Sequence, residues 1–223
     1  MKKLIGWVLL AALLVPAGRS WAQLSQMSET RRPQKELFAG FAIPTAPQTF
    51  KDYYKVGLSL HGQYVIFPTP SLGVSVGAAF EGFTFDGTKF VNDYEAANPG
   101  TDFTGLSLSA TGSARVIELG VGIRPYLTPP TANNQIFLFG MGTLNFLHDS
   151  VTPSVTGPDQ YGNTTTISET ITDNQTKPGL AAGAGLEIPA GEKFNVIVQA
   201  LYRDILTKDK STSFVGLTAG VVF

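Results

Sequence analysis

The sequence contains no cysteine among its 223 residues. This excludes a disulfide framework, a thiol nucleophile, a cysteine-based metal site and a lipoprotein anchored through an N-terminal cysteine. Long apolar runs are also scarce: after residue 22, no stretch reaches the roughly 18 apolar residues of a membrane helix. If the mature chain spans a membrane, it must therefore do so as a closed β-barrel.

The chain also has no excess of positive charge. The chain has 16 basic and 17 acidic residues. Loss of residues 1–22 would remove Lys2, Lys3 and Arg19 but no acid, which leaves 13 basic residues and a net charge of about −4. A nucleic-acid-binding domain normally has a basic patch or stripe. No nucleic-acid partner is therefore predicted.

The N-terminus has the three parts of an export signal. Lys2 and Lys3 precede an apolar run over residues 4–15, and Ser20-Trp21-Ala22 forms a small-x-small cleavage site. The run is shorter than the roughly 20 residues of a spanning helix. We predict a signal peptide over residues 1–22. Residues 23–35 are polar and lack periodicity, which predicts a flexible leader.

From residue 36 onward the chain consists of segments in which apolar and polar residues alternate. The eight segments are residues 36–43, 55–66, 72–85, 114–126, 135–149, 179–188, 194–206 and 212–223. Most approach the 9–11 residues of a tilted membrane strand. The pattern predicts an all-β domain over residues 36–223, an eight-stranded antiparallel up-and-down transmembrane β-barrel.

The connections alternate between short and long. Residues 67–71, 128–134 and 189–193 are compact and rich in turn formers, whereas the opposite set includes residues 44–54, 86–113 and 150–178. Short periplasmic turns and long extracellular loops are typical of bacterial outer-membrane barrels. Loops 86–113 and 150–178 could bind an extracellular ligand or simply cover the surface. Residues 164–173 alternate, which predicts an extension of the sheet beyond the membrane.

Each strand has one bulky apolar face and one face of small or charged residues. In the last strand, Leu217 and Val221 lie on the first face, and Gly216 and Gly220 lie on the second. An eight-stranded barrel has room inside only for side chains that fill it. We therefore predict that glycine, alanine, serine and charged residues fill the lumen and that branched residues face lipid. A secreted lipocalin-like binder would need the reverse.

Alternation also predicts a charged lumen. The titratable residues expected to point inward are Glu36, Lys55, His61, Glu81, Glu118, Arg124, Glu187 and Arg203. Buried charges must pair, because desolvation of a lone ion costs several kcal/mol. The favoured interpretation is a plug that holds the strands in register. The alternative is a small gated pore for ions or solutes.

Aromatic residues fall near both ends of the strands. The predicted outer group is Tyr53, Tyr54, Phe83, Phe85, Phe146 and Tyr202, and the predicted periplasmic group is Tyr64, Phe67, Tyr126, Phe194 and Phe223. Transmembrane barrels have aromatic girdles at both interfaces. The two groups are therefore predicted to be such girdles.

The chain resembles small bacterial outer-membrane β-barrel proteins of the OmpA/OmpX-type and opacity-like superfamily. The resemblance rests on the signal peptide, the eight strands, the opening "FAGFAIPTAPQTFKDYYKVGLSLHGQYVIF" and the ending "GLTAGVVF". It implies an outer-membrane location among lipid and lipopolysaccharide, with a structural or surface-interaction (adhesion or binding) role. It also implies an assembly signal that the barrel-assembly machinery recognises, formed by Leu217, Ala219, Val221 and Phe223.

One short motif suggests chemistry. His148 and Ser150 form an H-x-S pair, which resembles the lipid-facing dyad of some lipid A deacylases. A hydroxyl nucleophile needs a base, and the base needs an orienting acid. Asp149 lies on the opposite face, and the remainder of that family's motif is not recognisable. We predict a protein that is not an enzyme and has no cofactor. No metal site is predicted either, because His61 and His148 lie on opposite faces.

Overall fold

All eight alternating segments form β-strands in the structure, a computed structural model that describes residues 31–101, 103–191, 194–207 and 211–223. The strands are β1 (Gln34–Ala46), β2 (Gly57–Thr69), β3 (Leu72–Thr84), β4 (Ser107–Pro125), β5 (Gln135–Pro158), β6 (Thr164–Ser168), β7 (Ile171–Pro189), β8 (Asn195–Ile205) and β9 (Thr212–Val222). The predicted signal peptide and residues 23–30 of the predicted leader lie outside the described residues. Those two predictions therefore stay predictions.

Eight of the strands close into a barrel. Consecutive barrel strands pair antiparallel, with β5 pairing to β4 and β7. The first and last strands also pair, with Leu37 opposite Val221. The remaining strand, β6, is short, and among the described residues it pairs only with the end of β5. The predicted closed eight-stranded antiparallel barrel is confirmed.

The two faces divide as the alternation predicts. Leu119, Val121 and Leu180 are 49%, 60% and 59% exposed on the outside of the barrel. Glu118 and Arg124, which alternate with the first two, are buried inside. A bulky apolar exterior of this kind is stable in lipid and unfavourable in water.

Large apolar side chains also occupy the lumen. Two buried clusters fill it, one around Phe50, Phe83 and Phe214 and the other around Phe38 and Phe137. The expectation that small and charged residues fill the lumen is therefore wrong in part. The small residues of one strand make room for aromatic rings of the next.

Gly185 and Gly220 are examples of this complementarity. A Cβ atom at Gly185 would lie 2.2 Å from the Cζ atom of Phe137, and one at Gly220 would lie 2.5 Å from the Cδ1 atom of Phe38. Such distances are far below van der Waals contact. The glycine-rich faces of β7 and β9 therefore pack against large rings inside the barrel.

Three strands are much longer than the rest. β5 has 24 residues, and β4 and β7 have 19 each, against the 9–11 residues that span a membrane. Their outer parts form a sheet with β6 beyond the membrane. We call this sheet and its turns, residues 107–112 and 151–171, the arm. The prediction that residues 164–173 extend the sheet is confirmed. Most of predicted loop 150–178 is thus strand.

Two helices lie in the extracellular connections, and neither was predicted. They are α1 (Gln48–Tyr53) and α2 (Gly87–Ala97). At the start of α2 the Asp86 side chain accepts a hydrogen bond from the Lys89 backbone N–H, and Lys89 pairs with Asp93 one turn later. Within the described part of the chain, no helix has the length and apolarity needed to cross a membrane.

Candidate functional site: the charged lumen and the extracellular mouth

The periplasmic half of the lumen contains a buried ion pair. The guanidinium of Arg124 donates two hydrogen bonds to the Glu36 carboxylate, from Nη1 at 2.5 Å and from Nη2 at 2.7 Å. The Phe137 ring centroid lies 4.3 Å from Cζ, the central carbon of the Arg124 guanidinium. The bidentate geometry and the ring face fix the arginine in one orientation. The pair thereby joins β1 to β4 across the barrel.

Glu187 accepts hydrogen bonds from three uncharged side chains. Its carboxylate accepts hydrogen bonds from Gln34 at 3.1 Å, Tyr126 at 3.2 Å and Asn195 at 2.6 Å. Hydrogen bonds to a carboxylate are charge-assisted and offset part of its desolvation cost. These three donors could not be predicted from the sequence, because their contacts with Glu187 arise only where the strands meet at the periplasmic end.

The extracellular half of the lumen contains a triad, which we define as Arg203, Glu81 and Glu118. Arg203 contacts the Glu81 carboxylate at 2.8 Å and the Glu118 carboxylate at 3.2 Å. Ser59 donates a further hydrogen bond to Glu81 at 3.0 Å. All four residues are buried. One guanidinium thus neutralises two carboxylates only in part, and its loss would leave both buried without a cation.

His61 lies between the two ion-pair groups. Its ring stacks on Phe38 with the ring centroids 5.0 Å apart. His61 also lines a cavity of about 20 Å³ together with Gln199 and Glu118. That volume suffices for about one water molecule. The neighbouring apolar clusters enclose this small polar space from both ends of the barrel.

Lys55 departs from the prediction. Its side chain is 59% exposed and its Nζ atom lies 3.5 Å from the Asp86 carboxylate. β2 begins only at Gly57, so the inward alternation does not extend back to Lys55. At the extracellular surface the ammonium group keeps its hydration, which a lumen position would remove. The prediction that Lys55 points into the lumen is wrong.

A cluster of aromatic rings closes the extracellular mouth. α1 places Phe50 inside the barrel, where its ring meets Phe83 edge-on at 5.0 Å. Phe83 in turn meets Phe214 at 5.5 Å. The Phe50 contribution could not be predicted, because a single helical turn has no detectable period. The mouth is therefore filled by rings from a loop helix and two strands.

The predicted girdles are wrong for the residues that point inward. Tyr54, Phe67, Phe83, Phe85 and Tyr126 are buried in the two lumen clusters. The exposed members of the predicted groups lie on the outside: Tyr64, Phe146, Phe194, Tyr202 and Phe223. Inward rings fill the barrel ends because the glycine-rich strands leave space there.

A cavity of about 630 Å³ lies beside α1 at the mouth, and we call it the vestibule. Its wall combines Tyr54 and Phe85 with the polar side chains of Asp149, Gln175 and Lys177. The Tyr54 hydroxyl donates a hydrogen bond to the Asp149 carboxylate. Burial is the main cause that raises the pKa of Tyr54, and this hydrogen bond raises it further. Its size and mixed lining are those of a small-molecule pocket.

The H-x-S pair does not form a catalytic arrangement with an acid. His148 is exposed, and its Nδ1 atom lies 2.6 Å from the amide oxygen of Asn174. Asp149 bonds to Tyr54 on the opposite face of β5. The partner of His148 is therefore an amide, which cannot balance an imidazolium charge as a carboxylate would.

The last strand presents the four residues of the predicted assembly signal outward. Leu217, Val221 and Phe223 are 49%, 40% and 58% exposed, and Ala219 shares their face. The backbone of Phe223 exchanges two hydrogen bonds of 3.0 Å with Lys35. Backbone hydrogen bonds to β1 thus hold Phe223 directly after the end of β9. Recognition of this strand by the assembly machinery stays a prediction.

The closed barrel and its apolar exterior define a transmembrane β-barrel. The sequence matches the outer membrane protein beta-barrel domain over residues 37–223, and the chain belongs to that family. The predicted location in the bacterial outer membrane, with transmembrane strands, is thereby confirmed. This location excludes the secreted lipocalin-like binder. No protein with a curated description matches the sequence.

Several solved structures are similar to this chain at low sequence identity. Neisserial surface protein A (NspA) is 12% identical over 85% of this chain and 95% of its own, with a TM-score of 0.52. OprG from Pseudomonas aeruginosa is 13% identical over 87% and 97%, with a TM-score of 0.47. Ail of Yersinia pestis, solved with the heparin analogue sucrose octasulfate, is 15% identical over 86% and 100%, with a TM-score of 0.45. At 12% identity, the similarity to NspA shows the fold alone.

Proposed function

We propose that this protein is a non-enzymatic outer-membrane barrel with a sealed lumen, and that its arm and vestibule interact with molecules outside the cell. The main support is the contrast between the two regions. The lumen is filled by buried rings and ion pairs, whereas the arm extends a broad sheet surface into the medium. Functional sites on barrels are often built from such extensions of a rigid scaffold.

The sealed lumen is supported by successive layers of side chains. The mouth cluster around Phe83 lies above the triad of Arg203, and the cluster around Phe137 lies at the level of the Arg124–Glu36 pair. Removal of one ion-pair partner would leave the rings in place. This proposal competes with the small gated pore, in which the ion pairs would be the gate.

Planar-bilayer recordings separate the two proposals. We expect no steady ohmic conductance from the wild-type protein, and none from Glu118→Ala or Arg124→Ala, because the aromatic layers persist in both variants. Lys55→Ala is the matched control, since it removes a charge outside the lumen. Steady conductance that increases in Glu118→Ala or Arg124→Ala but not in Lys55→Ala would support the pore instead.

The arm has the features of an interaction surface. Tyr161, Ile167 and Ile171 are 79%, 74% and 61% exposed on it. Two pairs of threonine hydroxyls form hydrogen bonds across it, Thr152 with Thr170 at 2.9 Å and Thr156 with Thr166 at 2.8 Å. An ordered surface that exposes aromatic and branched side chains beside hydroxyl groups suits recognition of another molecule.

The tip of the arm is a structured turn. The Asp159 carboxylate accepts hydrogen bonds from the backbone N–H groups of Tyr161 at 2.8 Å and Asn163 at 2.9 Å. These bonds lower the pKa of Asp159. Gly162 has a φ of 80°, a backbone conformation that favours glycine. The tip is therefore preorganised, which reduces the entropy that binding would cost.

Removal of the outer hairpin tests the surface-interaction role. The Glu169 backbone N–H already bonds to the Pro153 carbonyl at 3.3 Å, so a short turn can replace residues 155–167. We expect this variant to reach the outer membrane and to migrate on a detergent gel as a folded, heat-modifiable barrel. We also expect attachment of the cells to host-cell or matrix surfaces to fall.

The double variant Tyr161→Ser, Ile167→Ser is a milder companion to the deletion, since it keeps the hairpin but removes two of its exposed apolar groups. A partial loss of attachment is expected for this variant. Unchanged attachment and serum sensitivity in the deletion variant, with the barrel assembled, would contradict a binding role for the arm.

A lipid A deacylase is the remaining alternative. It would require His148 to activate the Ser150 hydroxyl with the help of an acid. The non-enzymatic proposal is supported by the contact of His148 with Asn174 and by the separate contact of Asp149 with Tyr54. Both contacts leave the imidazole without an orienting carboxylate.

A further inference from the structure

A polar row crosses the outside of the barrel directly above its apolar band. Arg115 on β4 lies opposite His148 on β5, and His148 lies opposite Asn174 on β7. All three residues are exposed. Side chains directly opposite on one face of a sheet have Cβ atoms about 4.5–5.5 Å apart. The three polar groups therefore form one continuous surface, which we call the headgroup row.

A second row lies one step farther from the membrane. It consists of hydroxyl groups, with Ser113 opposite Ser150 and Ser150 opposite Thr172. On the other side of the headgroup row, Ile117 lies opposite Phe146. The exterior thus changes within a single step from hydrocarbon to a guanidinium, an imidazole and an amide, followed by hydroxyls.

The height of the row matches the membrane boundary. The outward residues Ile117, Leu119, Val121 and Ile123 form the apolar part of β4, which ends near Pro125. Ten residues separate Pro125 from Arg115. At about 3.3 Å per residue and a tilt of about 40°, this corresponds to about 25 Å along the membrane normal, the height of the apolar band in barrels. Arg115 therefore lies where the headgroups of the outer leaflet begin.

No acid neutralises this row from its own face. In the described strands β3, β4, β5 and β7, no aspartate or glutamate belongs to the headgroup row. The acidic residues of these strands point inward or lie at another height: Glu81, Glu118, Asp149, Asp173 and Glu187. Among the described residues, Arg115 has no ion-pair partner. An arginine at a lipid boundary is stabilised when an anionic group of the lipid acts as its ion-pair partner.

We propose that the headgroup row binds a phosphate group of the lipid A headgroup of lipopolysaccharide in the outer leaflet. The planar guanidinium of Arg115 suits bidentate contact with phosphate oxygens. His148 uses Nδ1 for Asn174, which leaves Nε2 to donate to a phosphate oxygen when the ring is protonated. The hydroxyls of Ser113 and Ser150 are additional donors, while the apolar residues below contact the acyl chains.

A headgroup phosphate fits this position better than free phosphate. The row is a shallow outer surface with an apolar band directly below it, so a free anion would gain only the polar contacts. A lipid gains those contacts together with burial of its acyl chains against the apolar band. Binding should therefore require both the phosphate and the chains.

The test uses the folded full chain in detergent micelles, with bound lipids counted by native mass spectrometry. The probes are lipid A with both phosphates, the same lipid A after dephosphorylation, and inorganic phosphate. We expect Arg115→Ala to weaken binding of phosphorylated lipid A about tenfold, which corresponds to about 1.4 kcal/mol. We expect a smaller loss for His148→Ala, and partial retention of binding for Arg115→Lys.

Lys55→Ala is the matched control, because it removes one positive charge at the same end of the barrel but outside the row. Binding in this control should stay unchanged. The proposal is overturned if Arg115→Ala binds phosphorylated lipid A as the wild type does, or if Lys55→Ala loses as much. It is also overturned if dephosphorylated lipid A binds equally well, or if inorganic phosphate displaces the lipid at equal concentration.

Discussion

Arg203→Ala is expected to lower the free energy of unfolding by about 3–5 kcal/mol, because it leaves two buried carboxylates without their cation. Glu81 and Glu118 both contact Arg203, and both are buried inside the barrel. Neither can regain water without opening the packed lumen. The measurement is urea unfolding of the protein in lipid vesicles, followed by far-ultraviolet circular dichroism.

Arg115→Ala is the matched control for this experiment, since it makes the same substitution on the exposed face of β4. We expect little change in vesicles of neutral lipid. The triple variant Arg203→Met, Glu81→Gln, Glu118→Gln should recover most of the lost stability, because no uncompensated charge remains. Equal losses for Arg203→Ala and Arg115→Ala would show that the triad does not stabilise the barrel.

Gly185→Ala is expected to lower the free energy of unfolding by about 1–3 kcal/mol through overpacking. The added methyl group would lie 2.2 Å from Cζ of Phe137, and all three of its nearest atoms belong to that ring. Phe137 is fully buried, and the guanidinium of Arg124 lies 4.3 Å from its ring centroid. The ring therefore has little room to move. The same urea unfolding experiment measures the loss.

Gly140→Ala is the control, because a Cβ atom there would meet nothing within 4 Å. Its stability should be unchanged or increase by up to about 1 kcal/mol, since alanine reduces the entropy of the unfolded chain. Phe137→Leu should restore part of the stability of Gly185→Ala in a double-mutant cycle. Strict additivity of the two substitutions would contradict the proposed contact.

Most of the barrel could be predicted because strand alternation is a local property. The outward positions of Leu119, Leu180 and Leu217 and the inward positions of Glu118 and Arg124 follow from period two within single segments. The predicted strand nevertheless ends too early in β5, and the predicted strands begin too late in β4 and β7. Beyond the membrane both faces meet water, so the apolar-polar alternation fades while the β-branched residues still favour strand.

Lys55 and α1 show where local patterns fail. Alternation placed Lys55 inside only because the strand was extended two residues too far toward the extracellular end. α1 has six residues, which are too few for a recognisable helical periodicity. Its insertion of Phe50 into the barrel depends on space left by other strands. Such packing is a property of the closed barrel and not of the segment.

The sequence by itself determined the class, the number of strands that form the barrel, and the face that meets lipid, because these depend on residues next to one another in the chain. Only the tertiary structure decided which charges meet. Arg124 and Glu36 are separated by 88 positions, and Arg203 and Glu118 by 85. Their contacts arise when β1 pairs with β9, since closure of the barrel sets the stagger of all strands at once.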